Sequence, residues 1–277
     1  MKIQRVVALY WSATGNTASV VKRIGQELAH RLACPMEVYD FTLQKAREDV
    51  QSFGAGDFVV VGSPTYAGKL PNKILPDFQT KLAGHGALAA AVVTYGNRSY
   101  DNSLAELTET LRVGGFVPVA GAAFACRHAF TDLLAGGRPD AEDMRDAAKF
   151  AERVGALAEG LHAGHADRAL DVPGDAAAPY YIPKGTDGQP AKFLKAKPLT
   201  DMEKCTNCGD CVRLCPVASI DPENVANVPG ICIKCQACVR GCSAGAKYFD
   251  DAAFLSHVAM LEQNFAKPLK KNEFYYI

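Results

Sequence analysis

The chain has no net charge: across its 277 residues, 30 lysines and arginines balance 30 aspartates and glutamates. With no global field of either sign, nothing argues for a nucleic-acid partner or an anionic membrane surface. Long apolar runs are missing too. Stretches such as 87–93 fall far short of the ~20 residues that a membrane-spanning helix needs. Met1-Lys2-Ile3 leads directly into a strand pattern and lacks the character of a signal peptide, so a cytoplasmic location is expected. Neither a G-x-x-x-x-G-K-[ST] phosphate loop nor a G-x-G-x-x-G dinucleotide fingerprint is found in the first glycine-bearing loop.

Cysteine, by contrast, is plentiful and concentrated. Eight of the ten cysteines fall between Cys205 and Cys242. They form two runs in register: Cys205, Cys208, Cys211 and Cys215 recur 27 positions later as Cys232, Cys235, Cys238 and Cys242. A C-x2-C-x2-C run wraps the backbone around one corner of a cubane and offers three thiolates, while the fourth cysteine crosses to the other cluster. That rule assigns Cys205, Cys208, Cys211 and Cys242 to one [4Fe–4S] cluster, and Cys232, Cys235, Cys238 and Cys215 to a second. A structural zinc site has no use for the third cysteine of each run. A disulfide framework does not suit a chain without an export signal. The span 199–249 resembles the bacterial two-cluster ferredoxins, with one departure: Ser243 stands where the first run has Pro216. Its acids (Asp201, Glu203, Asp210, Asp221, Glu223) and bases (Lys204, Arg213, Lys234, Arg240, Lys247) balance. Docking that depends little on long-range attraction is therefore expected.

The first 163 residues alternate strand and helix patterns. Strands are expected at 3–10, 37–40, 57–62, 88–94 and 117–126, with helices over 72–82, 102–113 and 140–161 and another after residue 17. The segment 42–51 reads as helical or irregular. Asp140, with Asp143 three residues on, marks a capped helix start. Alternation of this kind predicts a doubly wound α/β fold with five parallel strands and a ligand site beyond their carboxyl ends. Three loops fall there. Ser12, Thr14, Gly15, Asn16 and Thr17 precede a helix and form an anion cradle of backbone N–H groups and hydroxyls, suited to a phosphate monoester. Ser63-Pro64-Thr65-Tyr66-Ala67-Gly68 and Thr94-Tyr95-Gly96-Asn97, with Tyr100, bring glycine for close approach and tyrosine for stacking.

Together these loops resemble flavodoxin over 1–163, which implies strand order 2-1-3-4-5 and FMN as cofactor. Carried over, Ser12, Thr14, Gly15, Asn16 and Thr17 hold the phosphate. Ser63, Pro64, Thr65, Tyr66, Ala67 and Gly68 flank the ring, with Gly68 the expected flexible peptide near ring N5. Thr94, Tyr95, Gly96, Asn97 and Tyr100 cover the pyrimidine side. Trp11 is open between stacking and packing, and Arg98 between sensing charge and capping a loop. Cys34 and Cys126 are expected as small buried side chains, and His128 as a loop histidine on the functional side. His30, His85, His162, His165 and His257 show no ligand spacing.

Residues 164–198, rich in proline and glycine, read as an extended connector whose Tyr180, Tyr181 and Phe193 favour docking over free motion. A helix capped by Asp250 or Asp251 is expected to present Phe254, Val258, Leu261 and Phe265 on one face, followed by a docked tail, within 250–277. The whole order of parts resembles flavodoxin–ferredoxin fusions of anaerobic microbes. That resemblance implies a low-potential electron carrier exchanging electrons between FMN and two [4Fe–4S] clusters, served by redox proteins such as ferredoxin, flavodoxin or a larger oxidoreductase. An FMN-dependent reductase of a quinone or nicotinamide is the competing expectation. Oligomeric state is open, a homodimer included.

Overall fold

The computed structural model of the chain describes residues 2–161 and 169–277. His162, His165 and the first residues of the expected connector lie outside the described residues.

Strands β1 (Arg5–Tyr10), β2 (Met36–Asp40), β3 (Asp57–Pro64), β4 (Leu88–Tyr95) and β5 (Val117–Ala125) form a parallel sheet in the order β2-β1-β3-β4-β5. That is the doubly wound, flavodoxin-like order. The inner strands are built from Val, Ala and Leu because both faces are covered. Helices α1 (Asn16–Arg31) and α4 (Ala141–Gly160) pack on one face. The other is covered by α2 (Leu75–Thr80) and α3 (Ser103–Val113). α2 is shorter than the expected 72–82, since Pro71 and Pro76 confine regular helix to its middle. The segment 42–51 holds only a single turn, Gln44–Arg47. Asp140 caps α4 as its sequence requires, its carboxylate accepting from the N–H groups of Glu142 and Asp143, while Asp143 accepts from Asp140 in return. Between β4 and β5 the register jumps after Ala89↔Pro118 to Ala90↔Ala120. Pro118 has no N–H to give, and the bulge absorbs the loss.

The sheet has a sixth strand. β6 (Glu273–Tyr276), from the tail, pairs antiparallel with β5, Phe274 opposite Ala122 and Tyr276 opposite Ala120. Phe274 stacks on Phe150 of α4 at 5.5 Å. An edge that would otherwise offer unpaired N–H and C=O groups is thereby covered.

In the C-terminal part the cysteine repeat is also a backbone repeat. One-turn helices occupy Asp210–Arg213 and Ala237–Arg240. Left-handed residues recur in the same register: Asn207 and Lys234, Gly209 and Gln236, Ala218 and Gly245. A two-residue ladder, Leu199–Thr200 with Lys247–Tyr248, ties the ends of this part together. α5 (Ala252–Phe265) follows, with Asp251 capping it through the Phe254 N–H at 2.8 Å. Its buried side chains are Phe254, His257, Met260 and Leu261. The inward stripe therefore runs through His257, and Val258 and Phe265 are only half-buried, unlike the face expected from apolar spacing.

The connector is strapped down. Lys69, in a buried ion pair with Glu106, donates to the carbonyls of Ala176 and Ala178 at 2.8 Å each. The Tyr180 hydroxyl donates to Leu70 O, and the Tyr181 N–H to Ala67 O, both at 2.8 Å.

Candidate functional site

The three carboxyl-end loops enclose a cavity of about 560 Å³. Ser12, Thr14, Asn16 and Thr17 line one end. Pro64 to Gly68 and Thr94 to Gly96 line its length. Gly15 enters α1 with φ 90°, a conformation glycine adopts without cost, and open space lies where a Cβ would stand. The first N–H groups of α1 have no carbonyl of their own to bond, so the helix end presents donors and a positive dipole to the cavity. Hydroxyls and amides around it are tied back: Ser12 Oγ accepts from the Ala18 N–H (3.1 Å), Asn16 Nδ2 donates to Arg127 O (2.9 Å), and the Thr17 and Thr94 hydroxyls share a 2.7 Å bond. Rigid donors around an open cradle fit a phosphate ester. The tyrosine-bearing loops fit a planar ring.

Not every expected residue reaches this cavity. Ser63 is fully buried beneath it, donating to the Pro64 carbonyl. Asn97 turns the other way, its Nδ2 donating to Phe265 O at 2.7 Å and its Oδ1 accepting from the Lys270 N–H at 2.8 Å. The Tyr100 hydroxyl joins Glu273 and Tyr275 of the tail, at 2.8 and 2.9 Å. Asn97 and Tyr100 thus hold the C-terminal tail. Trp11 packs, fully buried and edge-on to Tyr66 at 5.7 Å. The Gly68 carbonyl, expected to turn freely, accepts from the Asn102 N–H at 2.8 Å. Cys126 is buried, whereas Cys34 is only half-buried.

Other segments complete the walls. Tyr180, Tyr181 and Phe193 come from the connector, His257 from α5, and Arg98 and His128 from the loops after β4 and β5. Arg98 pairs with Asp101 and lies over the Tyr181 ring. The aromatic content of the connector was the sequence signal for its three residues, and a place in the loops after β4 and β5 that for Arg98 and His128; His257 had none. His128 accepts from the Phe130 N–H at its Nδ1 (3.1 Å), so its proton sits on Nε2. His257 donates from Nδ1 to Lys184 O (2.8 Å), so its Nε2 is an acceptor. Burial pushes the His128 imidazole down to about 3, helped by His257, Arg98 and Arg240, and His257 is lowered by burial as well. Both are neutral near pH 7.

Two smaller cavities lie in the cysteine-rich part. One is lined by Cys205, Cys208, Cys211 and Cys242, the other by Cys215, Cys232, Cys235 and Cys238. These are the two crossed sets. Among the described residues no three His, Cys, Asp or Glu side chains converge on a point that would hold a single metal ion. Four thiols around one cavity are the ligand number that a [4Fe–4S] cluster would need. Backbone donors face the sulfurs in repeat: Ser219 N–H to Cys215 Sγ and Ala246 N–H to Cys242 Sγ, each at 3.2 Å. Burial alone would raise the Cys242 thiol, but the N–H groups of residues 244–247 outweigh it and hold it below its ordinary value. The second set is deeper. Burial raises Cys232 and Cys235, and pushes Cys238 up to about 12.

The second cysteine cavity adjoins the large one. Cys232, Ile233 and Lys234 line both. Tyr66 and Ile233 pack against the core cluster that includes Cys235, and the Tyr66 hydroxyl is raised well above its usual range by burial and then by Cys235 and Cys232. Cys208, in the other set, is exposed.

Residues 197–220 match the model of a 4Fe-4S binding domain. Among solved structures, the chain is similar to a flavodoxin from the domain Archaea (14% identity, 56% of this chain and 99% of that one, TM-score 0.38). It is also similar to a flavodoxin of Streptococcus pneumonia TIGR4 (19%, 56% and 99%, TM-score 0.38) and to the apo form of the NADH:FMN oxidoreductase EMOB (16%, 60% and 94%, TM-score 0.41). At these scores the fold rests on the strand order itself. No curated protein matches the chain. Among the described residues no helix is long and apolar enough to cross a membrane.

Proposed function

We propose that the chain is an electron-transfer protein holding FMN in the large cavity and a [4Fe–4S] cluster in each four-cysteine cavity. FMN supplies one- or two-electron exchange and each cluster one-electron exchange. The observation that carries this reading is the shared wall: Cys232 to Lys234 bound both the flavin-sized cavity and a cysteine cavity. An electron crossing there passes through packed side chains rather than water, and both sites stay together without a diffusional encounter. Ser12, Thr14, Gly15, Asn16 and Thr17 would bind the phosphate, and Pro64 to Gly68 with Thr94 to Gly96 would orient the ring. The buried set takes the inner position. The set containing exposed Cys208 is the port where a redox protein exchanges electrons.

Anaerobic isolation followed by stopped-flow mixing tests this. A carrier exchanges with reduced ferredoxin or flavodoxin and has no saturable reaction with NADH, NADPH or quinones. Saturable oxidation by a small molecule favours the second reading, an FMN-dependent reductase. That reading draws on the two neutral histidines at one cavity, His128 offering an N–H and His257 a lone pair.

A further inference from the structure

At one buried position beside the cysteines the 27-residue repeat exchanges an apolar side chain for a charged one. Ile220 and Lys247 are its equivalent members, and both are buried, 4% and 3% exposed. Ile220 lines the cavity of Cys215, Cys232, Cys235 and Cys238, whereas Lys247 lines that of Cys205, Cys208, Cys211 and Cys242. The Lys247 ammonium donates to the Val225 carbonyl. The ion pairs of this part join Lys204 to Asp201, Arg213 to Asp210 and Arg240 to Asp132, leaving Lys247 without a carboxylate among the described residues. Lysine is almost never fully buried unless paired, because an unpaired interior charge costs several kcal/mol. One carbonyl does not compensate for that. The missing anion belongs in the cavity that Lys247 lines.

We propose that Lys247 is the counter-charge of the group held by Cys205, Cys208, Cys211 and Cys242, and that it raises the reduction potential of this centre. The inference rests on the reading that each four-cysteine cavity holds a [4Fe–4S] cluster. Adding one electron makes such a centre more negative by one charge. A fixed cation in a poorly screened interior stabilises that added charge, and hence raises the potential. At the equivalent position Ile220 offers its own centre no charge; the cation lining that cavity is Lys234, half-buried and donating to the Leu194 and Cys232 carbonyls.

A purely structural lysine, pinning Val225 beside the ladder, is the competing explanation, and charge separates the two. The full chain is reconstituted anaerobically with iron and sulfide, and titrated against potential by EPR as wild type, Lys247→Met, Lys247→Ile and Lys247→Arg. Cys208→Ala identifies the signal of the outer centre by its loss. In the Met and Ile variants, the reduced-to-oxidised ratio of that centre at fixed potential should fall at least tenfold, about 59 mV for one electron. The inner centre should move less, and Arg should keep the wild-type value. Equal shifts in both centres, no shift, or an Arg variant behaving like Met each overturn the assignment. Wild-type protein with fewer than two centres overturns the two-cluster reading itself, and the inference with it.

Discussion

Arg47 and Pro216, 169 residues apart, are joined by a hydrogen bond of 2.8 Å from the guanidinium Nη2 to the proline carbonyl. Arg47 is buried and donates also to the carbonyls of Phe41 and Thr42 and to the Asp77 carboxylate. A single fork thus ties the end of β2, the helix α2 and the proline beside Cys215. Replacing it leaves three carbonyls and a carboxylate short of donors. Arg47→Met should lower the unfolding free energy by roughly 3 kcal/mol. Anaerobic denaturant titration of the full chain checks this, and an unchanged midpoint contradicts it.

The cradle ahead of α1 predicts a charge effect. Thr14 lines the cavity at the helix end, and an aspartate there would oppose a phosphate already held by N–H donors. Thr14→Asp should abolish flavin retention while leaving the iron content intact. Flavin stoichiometry equal to wild type would rule out the phosphate-binding role of this loop.

Gly96 owes its identity to His128. A Cβ at position 96 would stand 2.1 Å from His128 Cδ2. Gly96→Ala should cost about 1–3 kcal/mol by overpacking and weaken flavin binding. The double variant Gly96→Ala/His128→Ala should recover part of both, as read by thermal unfolding and flavin titration. No recovery would place the clash elsewhere.

His128 also sets a pH dependence. Its folded value, about 3, lies below the ordinary 6.5, so between those limits the unfolded chain binds a proton that the folded one does not. Stability contributed by this site is therefore complete above pH ~6.5 and declines as the pH falls toward 3, by about 1.4 kcal/mol per unit. Denaturation midpoints measured from pH 7 to 5 should fall more steeply for wild type than for His128→Gln. Parallel slopes would contradict it.

Cys208→Ala should remove one centre only, since its set is separate from that of Cys215, Cys232, Cys235 and Cys238. Iron analysis should show about half the wild-type content, and the remaining centre should still exchange electrons with the flavin. Retention of both centres would refute the ligand assignment.

Local patterns were enough for much of this molecule. The valine-rich runs of β1 and β3 announce strands covered on both faces, and Asp140 with Asp143 marks the start of α4. The 27-residue register of the cysteines reappears as matching left-handed residues and one-turn helices. Such features depend on neighbours in sequence, so sequence reports them. Asn97 and Tyr100 bond to Phe265, Lys270, Glu273 and Tyr275, in a tail whose course no local pattern reveals. His257 was overlooked because an inward stripe at 254, 257 and 261 fits the same helix as the apolar one at 254, 258 and 261.

The order of residues by itself determined the strand–helix alternation, the three loops at the carboxyl ends and the two crossed cysteine sets, because each is written in short-range spacing. Tertiary structure alone decided which cysteine set faces the large cavity, that Lys247 is buried without a carboxylate among the described residues, and that the tail completes the sheet. Those depend on how distant segments pack, and burial, unlike periodicity, belongs to no single stretch of chain.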